Sequence, residues 1–164
     1  MPIKLRQIKL LAILVVAVFA VVLVFAAVNN NQTADNDLLK GKTAMVYRST
    51  GCGCCANYVK YLKRAGVQVE EKLTEDKDMP AIRKQFGISD GLSSCHTTRI
   101  ENYTVEGHMP TEAIEKLLAE RPKLAGIALP LMPAGSPGMP GRKTETFNIT
   151  GFSDISSSSP YLSL

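Results

Sequence analysis

The apolar run LLAILVVAVFAVVLVFAAV fills positions 10–28 without a single polar side chain. As a helix rising 1.5 Å per residue, it would span about 28 Å, close to the hydrocarbon thickness of a bilayer. Lys4, Arg6 and Lys9 precede it, so residues 1–9 read as a basic stub held in the cytoplasm. The pattern predicts a single-pass inner-membrane anchor over 10–28 with everything downstream in the periplasm. The alternative is a cleaved signal peptide, with VFA ending at Ala26 as the cleavage site, which leaves a soluble periplasmic protein. Both readings export the remainder of the chain.

Past the apolar run, NNNQTADND (29–37) is polar and aperiodic, and 29–42 reads as a linker. Periodicity resumes with TAMVYRS (43–49), a short apolar strand. A helix follows to about Ala65, with Val59 and Leu62 on one face and Gly66 suited to its C-terminal cap. VQVEEKL (67–73) alternates and predicts a second strand. MPAIRKQFG (79–87) predicts a short helix, Ile82 and Phe86 lying one turn apart. HTTRI (96–100) and YTVEG (103–107) read as strands joined by a tight turn at Glu101 and Asn102. PTEAIEKLLAERP (110–122) is a helix with the buried stripe Ile114, Leu117 and Leu118, Pro110 in its first turn and Pro122 beyond its end.

The order is β-α-β-α-β-β-α. A crossover helix between the first two strands favours parallel pairing, and the later hairpin adds antiparallel strands. The expected class is α/β, a thioredoxin-like domain of the compact glutaredoxin type over 43–150. In AGIALPLMPAGSPGMPG (125–141), four Gly and four Pro predict no regular element. The segment is too apolar for a free linker and should lie against the domain. TFNIT (146–150) reads as a closing edge strand, and 151–164 as a disordered tail.

Charge narrows the function. The formal net charge is +4, but without Lys4, Arg6 and Lys9 there remain 16 basic against 15 acidic residues. A near-neutral domain lacks the basic patch that a nucleic-acid surface requires.

The cysteines carry the chemistry. Cys52, Cys54 and Cys55 fall within four positions ahead of the first helix, and Cys95 stands alone. Adjacent Cys54 and Cys55 are poor partners for each other. Such clustering suits loop-stapling disulfides badly, since bridges stabilise more when they close longer loops. The cluster therefore reads as a site. A helix N-terminus favours thiolate, making these three thiols candidates for redox chemistry or metal binding. Cys95 and His96 immediately precede the third strand, where a thioredoxin-like fold carries a cis-proline facing the first helix, so Cys95 is expected opposite the trio. His108 and Met109 precede the last helix at the same end of the sheet. Met132 and Met139 are further thioethers in the Gly/Pro segment, whereas Met45 and Met79 read as packing only.

Thiolate, thioether and imidazole together select soft ions, above all Cu(I). Zinc wants a closed tetrahedral set at knuckle spacing, which this spacing does not match. Iron–sulfur ligation by four cysteines is the less usual alternative for an exported protein. The donors outnumber what one Cu(I) needs, so bridging thiolates and more than one ion are expected.

TGCGCC (50–55), LSSCHTT (92–98), VEGHMP (105–110), LLAERP (117–122) and MPAGSPGM (132–139) carry a family resemblance. From about Ala44 to Ile149 the chain resembles the small exported metal-binding proteins whose family includes the copper-resistance protein CopG of Gram-negative bacteria. The resemblance implies a thioredoxin-like, periplasmic domain with a multinuclear copper site that changes redox state. By position, Cys52, Cys54, Cys55 and Cys95 would hold the cluster, joined by His96, His108 and Met109. The long apolar anchor and the Ser-rich tail depart from the family pattern.

The expected function is thus copper binding in homeostasis and resistance, by a metal-binding protein whose multinuclear soft-ligand site allows copper redox interconversion. The expected partners are copper ions, other periplasmic copper-handling proteins and the membrane, with no nucleic acid. The rival is a thiol–disulfide oxidoreductase using the C-x-x-C of Cys52 and Cys55, with Cys52 as nucleophile. Cys54 as a competing thiol and the missing cis-proline count against it. A structural zinc module ranks third.

Overall fold

The computed structural model describes residues 13–25 and 38–164. The chain divides into two units, Met1–Asp37 and Leu38–Leu164. In the first unit, residues 13–25 are helical with exposed apolar side chains. Among the described residues no helix is long and apolar enough to cross a membrane. The stub 1–9, the ends of the apolar run (10–12 and 26–28) and linker positions 29–37 lie outside the described residues.

The second unit begins earlier than the pattern predicted. Leu39 was assigned to the linker, yet it is fully buried in the main core. The turn that carries it is closed by hydrogen bonds from Lys42 N–H to the Leu39 carbonyl (3.1 Å) and from Gly41 N–H to the Gly66 carbonyl (2.9 Å). Two adjacent leucines, Leu38 and Leu39, in a polar stretch have no periodicity to reveal them.

The elements are β1 (Thr43–Ser49), α1 (Gly53–Arg64), β2 (Gln68–Thr74), α2 (Met79–Gln85), β3 (His96–Ile100), β4 (Tyr103–Glu106), α3 (Thr111–Glu120), β5 (Gly126–Ala128), β6 (Asn148–Asp154) and β7 (Ser157–Ser163). The first seven follow the expected β-α-β-α-β-β-α order. All strands join one mixed sheet in the order β2-β1-β3-β4-β5-β6-β7. β1 and β2 pair in parallel with Val46 opposite Glu71, as a helical crossover dictates. β3 and β4 form the antiparallel hairpin, with Thr98 opposite Val105.

The main core gathers Tyr58, Val59 and Leu62 from α1, Ile114, Leu117 and Leu118 from α3, and Val46, Val105 and Ile127 from the sheet. A smaller cluster holds Ile88, Leu92, Ala128 and Phe152, with Phe86 packed on it. Consecutive Ile127 and Ala128 belong to different clusters, so the clusters occupy opposite faces of the sheet.

Three expectations need correction. The Gly/Pro segment does contain a regular element, β5. Gly126 permits it, because a Cβ there would sit 2.0 Å from the Thr104 carbonyl oxygen of β4. The strand predicted at the edge is not the edge, since β6 runs on to Asp154 and β7 pairs outside it. Finally, the tail expected to be disordered is strand instead, its first four residues ending β6 and Ser157–Ser163 forming β7. Its serines carry little strand propensity. Ladder bonds to β6 order it, helped by Tyr161, Leu162 and Leu164 packing on the main core and by reciprocal Phe147–Leu164 backbone bonds of 2.8 and 3.1 Å. Pro160 is tolerated because β7 is an edge strand.

Candidate metal centre

β1 ends at Ser49, and the short loop after it delivers Cys52 to the N-cap of α1. There the Cys52 Sγ accepts a hydrogen bond from the Cys55 N–H at 3.3 Å. Cys52 and Cys55 are joined as a disulfide across this first turn, while Cys54 and Cys95 are free. Cys54 Sγ lies 3.4 Å from Cys52 Sγ. From the far loop, Cys95 brings its Sγ to 3.3 Å from Cys55 Sγ. Four sulfurs separated by up to 43 positions therefore form one compact cluster, with Cys95 opposite the trio.

Two imidazoles complete the cluster. His96, the first residue of β3, is fully buried, with Nδ1 3.4 Å from Cys95 Sγ. Its Nε2 has no hydrogen-bond partner among the described residues. His108 Nε2 lies 3.0 Å from Cys95 Sγ, and its Nδ1 is 2.7 Å from the Pro137 carbonyl oxygen. A carbonyl can only accept, so the proton of neutral His108 is assigned to Nδ1 and the Nε2 lone pair faces the sulfur. The two rings meet edge-on at 4.7 Å between centroids. The donor atoms form two overlapping sets, each within 4.8 Å of one another: Cys52, Cys54, Cys55 and Cys95, and then Cys55, Cys95, His96 and His108.

The methionines divide differently from the sequence expectation. Met109 is fully buried with its side chain in the main core, and its carbonyl accepts a hydrogen bond from the Tyr58 hydroxyl at 3.1 Å. Met132 lines an open cleft of about 470 Å³ beside Cys52, Cys54 and Cys95. Met79, read from sequence as packing only, lines the same cleft. Met139 is half-buried, its N–H bonded to the Ser136 carbonyl at 2.9 Å. The Gly/Pro segment does lie against the domain. Gly138, with φ +86°, sits so close to α1 that a Cβ would be 2.7 Å from Tyr58 N and 2.8 Å from the Cys54 carbonyl oxygen.

Sequence reasoning missed Glu106. Its carboxylate is fully buried and accepts from Ser94 N–H (2.7 Å), Thr97 Oγ1 (2.6 Å) and Arg83 Nε (3.2 Å). Arg83 also donates to the Ser94 carbonyl at 2.5 Å. Glu106 and Arg83 thus hold both polar backbone groups of Ser94 and set the position of Cys95. The available signal was a lone carboxylate ending the otherwise uncharged strand YTVE.

Burial governs the electrostatics. It holds His96 well below the ordinary histidine range, with nearby His108 adding to the effect, and it lowers His108 as well. Both rings are neutral at neutral pH and keep a lone pair for a metal. The Cys95 thiol is pushed up to about 12, by burial first and then by Cys54. Glu106 is raised by burial, opposed by its hydrogen bonds from Thr97 and Ser94 and by Arg83. Cys95 would ionise on binding a metal, which accepts only the thiolate.

A small mixed α/β domain here converges four sulfurs and two neutral imidazoles beside an open cleft, a cysteine–histidine cluster of the class that could hold a soft metal ion. The donor chemistry fits copper, and His96 Nδ1 beside Cys95 Sγ fits a ligand role. Residues 92–139 match a family described as "Protein of unknown function, DUF411", a span that includes Cys95, His96 and His108 but not the triple-cysteine loop. No curated protein matches the chain. Two solved structures, titled copper resistance protein CopG forms 1 and 2, are each 34% identical with a TM-score of 0.68. They cover 76% of this chain, and the match spans 98% and 99% of theirs. The chain belongs to the family of the copper resistance protein CopG.

Proposed function

We propose that this chain is a periplasm-facing copper-binding protein of copper homeostasis and resistance, tethered by its apolar N-terminal run. In this reading the domain is thioredoxin-like and holds a multinuclear copper site. The observation that carries the reading is the convergence of Cys52, Cys54, Cys55 and Cys95 with two buried neutral imidazoles. Reduction of the Cys52–Cys55 disulfide takes two electrons from an external dithiol reductant, which is itself oxidised to a disulfide, and frees two more thiols, so the loaded state is the reduced one. Thiolates suit Cu(I), and imidazoles suit both copper oxidation states, which supports redox interconversion at one site. Shared thiolates supply bridges between ions.

The test is elemental analysis with X-ray absorption on the chain reduced and loaded under argon. Sulfur-dominated coordination with a short copper–copper distance is expected; coordination by oxygen and nitrogen alone, or no uptake, overturns the proposal. Fractionation of cells producing the chain tests the tether, which a soluble, shortened periplasmic product would replace with a cleaved signal.

The closed Cys52–Cys55 disulfide at the N-terminus of α1 supports a second reading, a thiol–disulfide oxidoreductase. Cys54→Ser separates the two. Lost copper stoichiometry with intact disulfide exchange supports the copper site, and retained stoichiometry favours the oxidoreductase.

A further inference from the structure

The sheet face that carries the smaller core cluster also holds an arginine without a countercharge. Glu106 pairs in register with Ala128 of that cluster, and Thr104 lies two residues earlier, so both project from this face. Arg99 pairs with Thr104 across the β3–β4 hairpin and projects there too. Arg83 reaches the same face from α2 and takes the Glu106 carboxylate. Arg99 is left without a carboxylate partner among the described residues.

Arg99 is half-buried and held on several sides. One terminal nitrogen donates to Thr104 Oγ1 at 2.6 Å and the other to the Asn102 carbonyl at 3.2 Å. The guanidinium lies 5.2 Å from the centroid of the Phe86 ring, which in turn packs on Tyr47. Two of its five N–H groups are thereby engaged, and three have no acceptor among the described residues. Burial lowers its pKa from the ordinary arginine value, as expected of a charge that has lost solvent without gaining an opposite charge. At neutral pH it remains a cation.

Arg99 borders an open cleft of about 580 Å³ between the end of α2, the β3–β4 hairpin and the turn after β6. Lys84 lines the same cleft, also without a carboxylate partner among the described residues. Asp154 is the one carboxylate among the described lining residues. Its Oδ1 already accepts from the Ser156 N–H at 2.8 Å and the Ser156 hydroxyl at 2.7 Å. The lining thus keeps one positive charge in excess. Phe86, Ala125 and Ile155 give it an apolar wall, and Ile155 is 52% exposed.

We infer that this cleft binds a small organic carboxylate, its oxygens received by Arg99 and Lys84 and its carbon body laid on Phe86, Ala125 and Ile155. A guanidinium suits a carboxylate because its planar fork offers two parallel N–H donors. The volume falls within the range of about 300–1,000 Å³ common to small-molecule sites. Free phosphate fits less well. It brings more negative charge than the single excess cation balances, and it leaves the apolar wall unused. The cleft shares no lining residue with the one beside Cys52, Cys54 and Cys95, so the inference is independent of the copper reading.

The experiment titrates para-fluorobenzoate into the oxidised, copper-free full chain in neutral micelles. Binding is read from the fluorine signal of the probe and from the Nε–H signal of Arg99 in a chain labelled at its arginine nitrogens. Both signals should move saturably and give one dissociation constant. Acetate, with no body to cover the apolar wall, should bind about fivefold or more weakly. Arg99→Gln and Lys84→Gln should each weaken para-fluorobenzoate about fivefold or more, the loss of a charge-assisted hydrogen bond. Arg142→Gln, outside the lining, should leave the constant unchanged. The exposed Lys84 and the wild-type Arg99 signal keep the test independent of whether Arg99→Gln folds. A response that sodium chloride reproduces at equal ionic strength overturns the site, as does wild-type affinity in either cleft variant. Acetate or inorganic phosphate binding as tightly as para-fluorobenzoate overturns the assignment to an organic carboxylate.

Discussion

His108 Nε2 stands 3.0 Å from Cys95 Sγ, with its lone pair directed at the sulfur because the Pro137 carbonyl accepts the proton on Nδ1. One backbone carbonyl in a Gly/Pro segment therefore decides which nitrogen of a buried ring is free to bind. Gly138, pressed against Tyr58 and Cys54, keeps that carbonyl in place.

Replacing this donor should weaken copper binding without unfolding the domain. His108→Gln removes the Nε2 lone pair and keeps a polar group near Pro137. The expected loss in Cu(I) affinity is about 10-fold or more, by analogy with the cost of disturbing groups around a metal. Competition against a chromophoric chelator measures it, and an unchanged constant removes His108 from the site.

The Glu106–Arg83 pair should be worth more to stability than a surface ion pair, because Glu106 is fully buried and Arg83 largely so. Glu106→Gln leaves the guanidinium without its countercharge and should cost about 3 kcal/mol in urea unfolding of the metal-free domain. It should also speed alkylation of Cys95, since the neutral amide oxygen accepts more weakly from Ser94 N–H and Arg83 and loosens the loop. A stability change of a few tenths of a kcal/mol would show that the charge is not holding this loop.

The two buried histidines predict acid sensitivity of the metal-free domain. Both folded pKa values lie below the ordinary histidine value of 6.5. Above that value the rings are neutral in the folded and unfolded chain, and they add no slope. As the pH falls below 6.5 the unfolded chain takes up protons that the buried rings refuse. Stability is lost progressively until the folded rings protonate as well. The urea midpoint should therefore drop between pH 7.5 and pH 5, and His96→Phe should flatten that drop. A midpoint equally steep in the variant would place the acid sensitivity elsewhere.

Much of the fold was legible because its elements carry their own periodicity. The stripe of Ile114, Leu117 and Leu118 marks α3, and alternation marks β2. The parallel pairing of β1 and β2 follows from the helix between them. The elements that escaped notice lack such a signal. β5 is three residues inside a Gly/Pro stretch, and β7 is largely serine, so neither shows a readable alternation, and both depend on ladder bonds and core contacts supplied by distant segments. Glu106 was overlooked for a related reason: its value depends on Ser94, Thr97 and Arg83, none of which is distinguished in the sequence.

By itself, the amino-acid order determined that three thiols would meet a helix N-terminus and that a fourth, with two histidines, would come from loops at the strand ends. Residue type and spacing carry that information, because local periodicity sets where each helix and strand begins. Only the tertiary structure decided which sulfurs are bonded and which are free, that Met109 serves the core while Met79 and Met132 face the cleft, and which nitrogen of His108 is available. Those outcomes depend on ångström-scale approach between segments distant in the chain, and such distances are set by packing and hydrogen bonding rather than by any local pattern.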